Sequence, residues 1–198
     1  MPYDTGLHKS ERELPDQGAP FELTPERRAR LEAIAAHYPP ERRQSALLPA
    51  LYLVQEQQGH ITAAAMEHVA GVIGVTPAQV EDVASYYAMF YTQPVGTYVL
   101  QVCRTLSCAL NGAERVTEAL SQKLGIKPGE TDPTGMFTLI EVECLGACDR
   151  APVVMVNEHW HECLAPGDAA KLVDDLREKG LEALSGCHLC VEKKVDSR

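Results

Sequence analysis

Basic residues are in short supply in this 198-residue sequence: 18 Lys and Arg stand against 28 Asp and Glu, a formal net charge of −10. A balance this acidic, with pI near 5.1, excludes nucleic acid as a natural partner, because phosphates need clustered cationic side chains. It also disfavours docking on anionic lipid. Long apolar runs are missing too. The longest dense stretch, Ala46–Val54, is nine residues and contains Pro49, far short of the ~20 residues of a membrane-spanning helix. No direct membrane insertion is expected. Met1-Pro2-Tyr3-Asp4 lacks the basic-then-apolar pattern of an export signal. No Gly-x-Gly-x-x-Gly occurs, so no dinucleotide-binding fingerprint is present. What remains is a chain with 45% hydrophobic residues, long enough for one large domain or two small ones.

Cysteine is the residue it does have. Seven cysteines, an odd number, with no export signal point to a reducing cytoplasm and to thiols used for metal or redox chemistry. Four form two pairs, Cys103-x4-Cys108 and Cys144-x3-Cys148, each where a strand-like apolar run gives way to a loop. Soft thiolates select iron–sulfur clusters or zinc, and four complete the ligand set of a [2Fe–2S] centre or a structural zinc site. Gly146 and Ala147 let the main chain approach such a group, and the Ser107 hydroxyl can add a hydrogen bond. The spacing is neither that of a plant-type ferredoxin nor that of a zinc ribbon on two tight knuckles. Cluster and zinc both stay open on spacing alone.

Hydrophobic periodicity divides the chain. Residues 1–22 are polar and charged and read as a flexible lead-in. Residues 23–93 carry helix signals throughout. Thr24-Pro25 opens a helix that stops before Pro39-Pro40. Leu47, Leu51 and Val54 form an apolar stripe closed by Gly59. Thr62 caps a third helix running to about Val72, with Gly74 behind it. Thr76-Pro77-Ala78-Gln79 is a capping box opening a fourth helix, with Val80, Val83, Ala84, Tyr87 and Phe90 facing inward. A helical bundle is expected.

Residues 94–182 change period. Tyr98–Cys103 and Phe137–Glu143 read as strands that each deliver a ligand cysteine. Ala113, Val116, Leu120 and Leu124 mark the helix between them. Val153–Val156 suits a central strand, and His159–Cys163 its hairpin partner. Ala169, Leu172, Val173 and Leu176 make the last helical stripe. The order matches a thioredoxin-like layer, so the fold class is α+β: a helical bundle, then a thioredoxin-like domain, then a polar tail at 183–198.

Other candidates carry less. Cys163 reads as a small buried hydrophobe. Cys187-His188-Leu189-Cys190 is a true Cys-x-x-Cys in the tail, without a helix N-terminus to activate its thiols; its alternative is an independent thiol oxidoreductase. His159 and His161 read as surface histidines. Ala151-Pro152 sits where thioredoxin-like folds often place a cis proline.

The runs Tyr98–Ala113 and Val142–Val153, with the cysteine pairs inside them, resemble the thioredoxin-like [2Fe–2S] ferredoxin family. More narrowly, they resemble the NuoE-type subunit of respiratory NADH:quinone oxidoreductase (complex I). Tyr38-Pro39, Leu47–Leu51, Gln55–Gly59 and Val83–Phe90 are similar to that family's N-terminal region. The resemblance implies that Cys103, Cys108, Cys144 and Cys148 hold one [2Fe–2S] cluster. It implies a partner flavoprotein subunit that binds FMN, NADH and a [4Fe–4S] cluster, together with further peripheral-arm subunits. The chain would then be an electron carrier at the inner face of the cell membrane, an enzyme only as a subunit of the oxidoreductase. Diaphorase subunits of NAD-linked formate dehydrogenases and hydrogenases share the resemblance. A zinc-stabilised interaction scaffold is the alternative from another class. Tyr86, Tyr87, Phe90 and Tyr91 are either a docking element for the large partner or buried core.

Overall fold

The computed structural model describes residues 20–184, so the tail pair Cys187 and Cys190 lies outside the described residues, as does most of the lead-in. The chain divides between Pro94 and Val95 into two compact units.

The first unit holds four helices: α1 (Pro25–Ala35), α2 (Leu47–Gln58), α3 (Ala63–Ile73) and α4 (Pro77–Tyr86), with a 3-10 stretch over Pro40–Ala46. The side chains of Thr24, Thr62 and Thr76 each accept an N–H from the first turn of their helix. Thr76 and Gln79 complete the reciprocal capping box. Gly59 and Gly74 end α2 and α3 in the left-handed conformation. The core gathers Leu31, Leu51, Val54, Val69, Val80 and Ala84; each large aliphatic side chain buried this way stabilises the unit by ~1.5–3 kcal/mol. Beyond α4 the backbone is pinned by Gln55, whose amide donates to Met89 O at 2.9 Å and accepts from Tyr91 N–H at 2.8 Å. The four aromatics at this end divide. Phe90 is fully buried against Tyr52 and Tyr87, whereas Tyr86 stands 81% exposed.

The second unit runs β1 (Tyr98–Cys103), α5 (Leu106–Leu110), α6 (Ala113–Leu124), β2 (Phe137–Val142), β3 (Val154–Val156), β4 (His159–His161) and α7 (Pro166–Lys179). The sheet order is β2-β1-β3-β4. β1 and β2 are parallel, and the other two pairings are antiparallel. Parallel neighbours need a crossover, and α6 supplies it. Leu100, Val102, Leu139, Val154 and Val156 of the sheet pack with Val116 and Leu120 of α6 and Val173 and Leu176 of α7. This is the expected α+β layer, with Ala151–Pro152 cis ahead of β3.

Two details differ from the sequence expectation. His161 is buried, only 6% exposed, while His159 is exposed; the two share one face, opposite Val154 and Val156, so the cover over that face differs along the strand. Cys108 lies on the one-turn helix α5 rather than in a loop.

Entry to the second unit depends on one glycine. Gly96 N–H donates to Thr138 Oγ1 at 2.6 Å, and a Cβ there would sit 2.9 Å from backbone atoms of Met136 and Phe137. The turn before β2 is held by Asp132. One of its carboxylate oxygens accepts the Met136 and Phe137 N–H groups at 2.8 and 2.9 Å, and Thr134 Oγ1 donates to the other at 2.5 Å.

Candidate metal centre

Register builds the site. Cys103 pairs with Val142 at the last rung of the parallel β1–β2 ladder, so both strands release their chains at the same edge. Arg104 N–H extends the ladder one step further, donating to Val142 O at 3.1 Å. Cys103 is the last residue of β1 and Cys108 lies on α5, while Cys144 and Cys148 follow β2. All four predicted thiols are thereby brought to one edge of the sheet.

The two pairs differ in environment. Cys103 and Cys108 are buried, whereas Cys144 and Cys148 are exposed. Cys144 Sγ lies 3.4 Å from Cys148 Sγ, and the Cys103 and Cys108 thiols share a hydrogen bond. Donors surround them. Thr105 Oγ1 is 3.3 Å from Cys103 Sγ, and the Thr105 and Leu145 N–H groups also point at that sulfur. Gly146 N–H donates to Cys144 Sγ at 3.4 Å. The Val153 N–H acts on Cys108 and the Ser107 hydroxyl on Cys148, each favouring the ionised sulfur. Gly146 adopts φ +85°, a left-handed backbone that turns its N–H inward and that side chains rarely tolerate.

Within each pair the two thiols shift in opposite directions. Burial penalises the Cys103 thiolate, yet the hydrogen bonds from Thr105, Leu145 and Cys108 outweigh it and lower its pKa. Burial pushes Cys108 up to about 11, helped by its proton-sharing with Cys103. The Gly146 N–H, then the Cys148 thiol and the Thr105 hydroxyl, lower Cys144. Cys148 is raised by its bond to Cys144 and by that neighbour's charge.

Among the described residues, no three or more His, Cys, Asp or Glu side chains gather about a single ion position. Two thiol pairs suit a dinuclear core, where each iron takes two thiolates. One zinc would draw all four to one point. Backbone N–H groups aimed at the sulfurs match the negative charge that such a core carries. The residues fit a [2Fe–2S] cluster. Cys163 stays outside the group: its N–H donates to Arg150 O at 2.7 Å, and its backbone has φ +49°.

A family model for the thioredoxin-like [2Fe–2S] ferredoxins matches residues 31–177. The chain belongs to that family. The cofactor of this ferredoxin is therefore a [2Fe–2S] cluster, and the zinc alternative falls. The chain is 45% identical over 148 residues to NADH-quinone oxidoreductase subunit 2 of Thermus thermophilus, covering 74% of this chain and 82% of that one. It is 40% identical over 179 residues to an NADH-quinone oxidoreductase subunit of Mycobacterium tuberculosis, covering 88% and 70%. Among solved structures, an NAD+-reducing [NiFe]-hydrogenase in the air-oxidised state superposes with a TM-score of 0.59 at 20% identity. That match covers 67% of this chain and 23% of that one. At such identity the likeness shows the shared fold alone.

Sequence reasoning missed two residues of the ferredoxin site. Thr105 contacts the Cys103 thiol, and Arg104 pairs with Glu143 at 3.3 Å beside it. Arg104 directly follows Cys103 and Thr105 stands two residues after it, and that proximity was the available signal.

Proposed function

We propose that Cys103, Cys108, Cys144 and Cys148 hold the cluster, and that this ferredoxin is the electron-transfer subunit of the NADH-oxidising module of a respiratory NADH:quinone oxidoreductase. The observation that carries the ligand assignment is the in-register parallel pair β1–β2, which delivers both cysteine pairs to one edge. Bound there, the cluster takes up and gives back one electron at a time, the chemistry being its own. The chain's residues hold it, aim N–H donors at its sulfurs and leave the Cys144–Cys148 side open to solvent, where a partner's redox centre can approach. In this reading a flavoprotein subunit binds FMN, NADH and a [4Fe–4S] cluster, and performs the hydride chemistry. Further peripheral-arm subunits complete the assembly at the inner face of the cell membrane. No helix among the described residues is long and apolar enough to cross a membrane, which fits attachment through partners. The two respiratory relatives, at 45% and 40% identity, favour this assembly over a diaphorase.

The same reading gives residues 23–93 a docking role and residues 94–182 the electron-carrying role. The outward Tyr86, 81% exposed, supports an interaction surface at the end of α4.

Anaerobic co-purification with the flavoprotein partner, then EPR of the NADH-reduced complex, tests the proposal. A reducible [2Fe–2S] signal, with iron and acid-labile sulfide in equal amounts, is expected. A folded chain holding neither iron nor sulfide overturns it.

A further inference from the structure

Thr105 is the N-cap of α5 and yet makes no side-chain cap hydrogen bond. The same chain shows what a threonine does at that position when nothing competes. Thr24, Thr62 and Thr76 are also N-caps, and each accepts a first-turn N–H through its side-chain oxygen. Such a cap is worth ~1 kcal/mol. The Thr105 hydroxyl forgoes it and turns toward a thiol instead, lying 3.3 Å from Cys103 Sγ. Cys103 ends β1, and the hydroxyl two residues beyond it turns back to that sulfur.

We infer that Thr105 is a positioning residue of the metal centre, whose hydroxyl donates to the Cys103 sulfur and sets the potential of the group which that sulfur helps to hold. The inference rests on the ligand assignment made under Proposed function. A hydroxyl has one proton to give, and beside a thiolate it is the donor. Reduction adds negative charge that spreads onto the ligand sulfurs. A donor at those sulfurs stabilises the reduced form more than the oxidised form and raises the potential. No atom is transferred; the threonine keeps its proton in both oxidation states.

Two variants separate hydroxyl from methyl. Thr105→Val keeps the shape and removes the donor, whereas Thr105→Ser keeps the donor and removes the methyl group. The full-length, cluster-loaded chain is titrated with dithionite and followed by EPR. For T105V at the wild-type midpoint, the reduced-to-oxidised ratio is expected to fall about tenfold, a midpoint ~59 mV more negative for one electron. T105S is expected to stay at the wild-type midpoint. A second readout counts the exchangeable deuteron couplings of the reduced cluster: those of backbone N–D groups are expected in every variant, and one further coupling is expected in wild type and T105S and lost in T105V. If T105V takes up no cluster while T105S loads and titrates as wild type, the dependence on the hydroxyl stands. A T105V midpoint equal to wild type, or a T105S shift as large as that of T105V, overturns the inference. Cys144→Ser is run alongside. If C144S keeps a wild-type spectrum, the ligand assignment itself has failed; if C144S bleaches while T105V titrates as wild type, only the role of Thr105 has.

Discussion

Arg104 and Glu143 face each other across the ends of β1 and β2, with Arg104 Nη2 3.3 Å from Glu143 Oε1. The first directly follows Cys103 and the second directly precedes Cys144, so the ion pair ties the two ligand loops at their roots. As a tie it is modest, since a pair with one half-open partner is worth ~0–1 kcal/mol. As a pair of opposite charges beside a redox centre it matters more, because net charge near the cluster enters its potential directly. Glu143→Gln removes a negative charge beside the site and is expected to raise the midpoint. Arg104→Gln leaves the carboxylate and is expected to lower it. Each shift is limited to about one tenfold step, ~59 mV. Redox titration of both loaded variants checks this, and shifts of the same sign would rule it out.

Ligand identity has its own test. Cys144→Ser is expected to abolish or strongly weaken the visible absorption, while Cys163→Ser leaves it intact. Cys144 stands 3.4 Å from Cys148, whereas Cys163 takes no part in the thiol group and spends its N–H on Arg150 O. Iron and acid-labile sulfide content, with the spectrum, decides the matter. Equal bleaching in both variants would mean that the ligand set is misassigned.

Much of this architecture was legible in the residues, for reasons that also explain the rest. Capping is a local matter, so Thr24, Thr62 and Thr76 announced three helix starts. β1 and β2 were readable because each is a sustained apolar run ending at a cysteine. α5 was not, because five residues are too few to show a 3.6-residue period. His161 departs from its surface expectation because alternation fixes only which residues share a face; His159 and His161 share one, and its cover changes from one residue to the other. The aromatic group at the end of α4 was readable only as an ambiguity, and it splits, with Phe90 in the core and Tyr86 outward. Thr105 was passed over because a hydroxyl beside a ligand has no spacing rule of its own. Only the unused cap and the 3.3 Å contact single it out.

Gly96→Ala tests the entry to the second unit. Its new methyl would meet Met136 and Phe137 backbone atoms at 2.9 Å. Backbone cannot rotate away as a side chain can, so the start of β1 must move off Thr138 and strain the 2.6 Å Gly96–Thr138 hydrogen bond. Overpacking of this kind costs ~1–3 kcal/mol. Urea unfolding followed by far-UV circular dichroism is expected to show a lower midpoint at unchanged slope. An unaltered midpoint would show that the strand edge gives way freely.

Acid stability carries the signature of His161. Burial, aided by the neighbouring His159, pushes its pKa down to about 4 from the ordinary 6.5, and its Nε2 is buried without a hydrogen-bond partner. The folded state thus keeps the ring neutral where the unfolded chain binds a proton. Stability rises with pH wherever the unfolded state holds more protons. The contribution is therefore complete above pH 6.5 and is lost progressively as pH falls from 6.5 toward 4. Over that window the loss is ~3 kcal/mol at most, at 1.36 kcal/mol per unit. Asp132 has the opposite chemistry but a lower window. Burial works against its carboxylate, yet the Phe137 and Met136 N–H groups, the Thr134 hydroxyl and the Arg177 charge hold its pKa below 3.8, so its share is lost only at more acidic pH. His161→Leu is expected to flatten the stability profile between pH 6.5 and 4 without changing the steeper fall below it. The check is urea unfolding of wild type and H161L in matched buffers across that range, where any effect of acid on the cluster is common to both. Parallel profiles would mean that the ring is not held neutral in the fold.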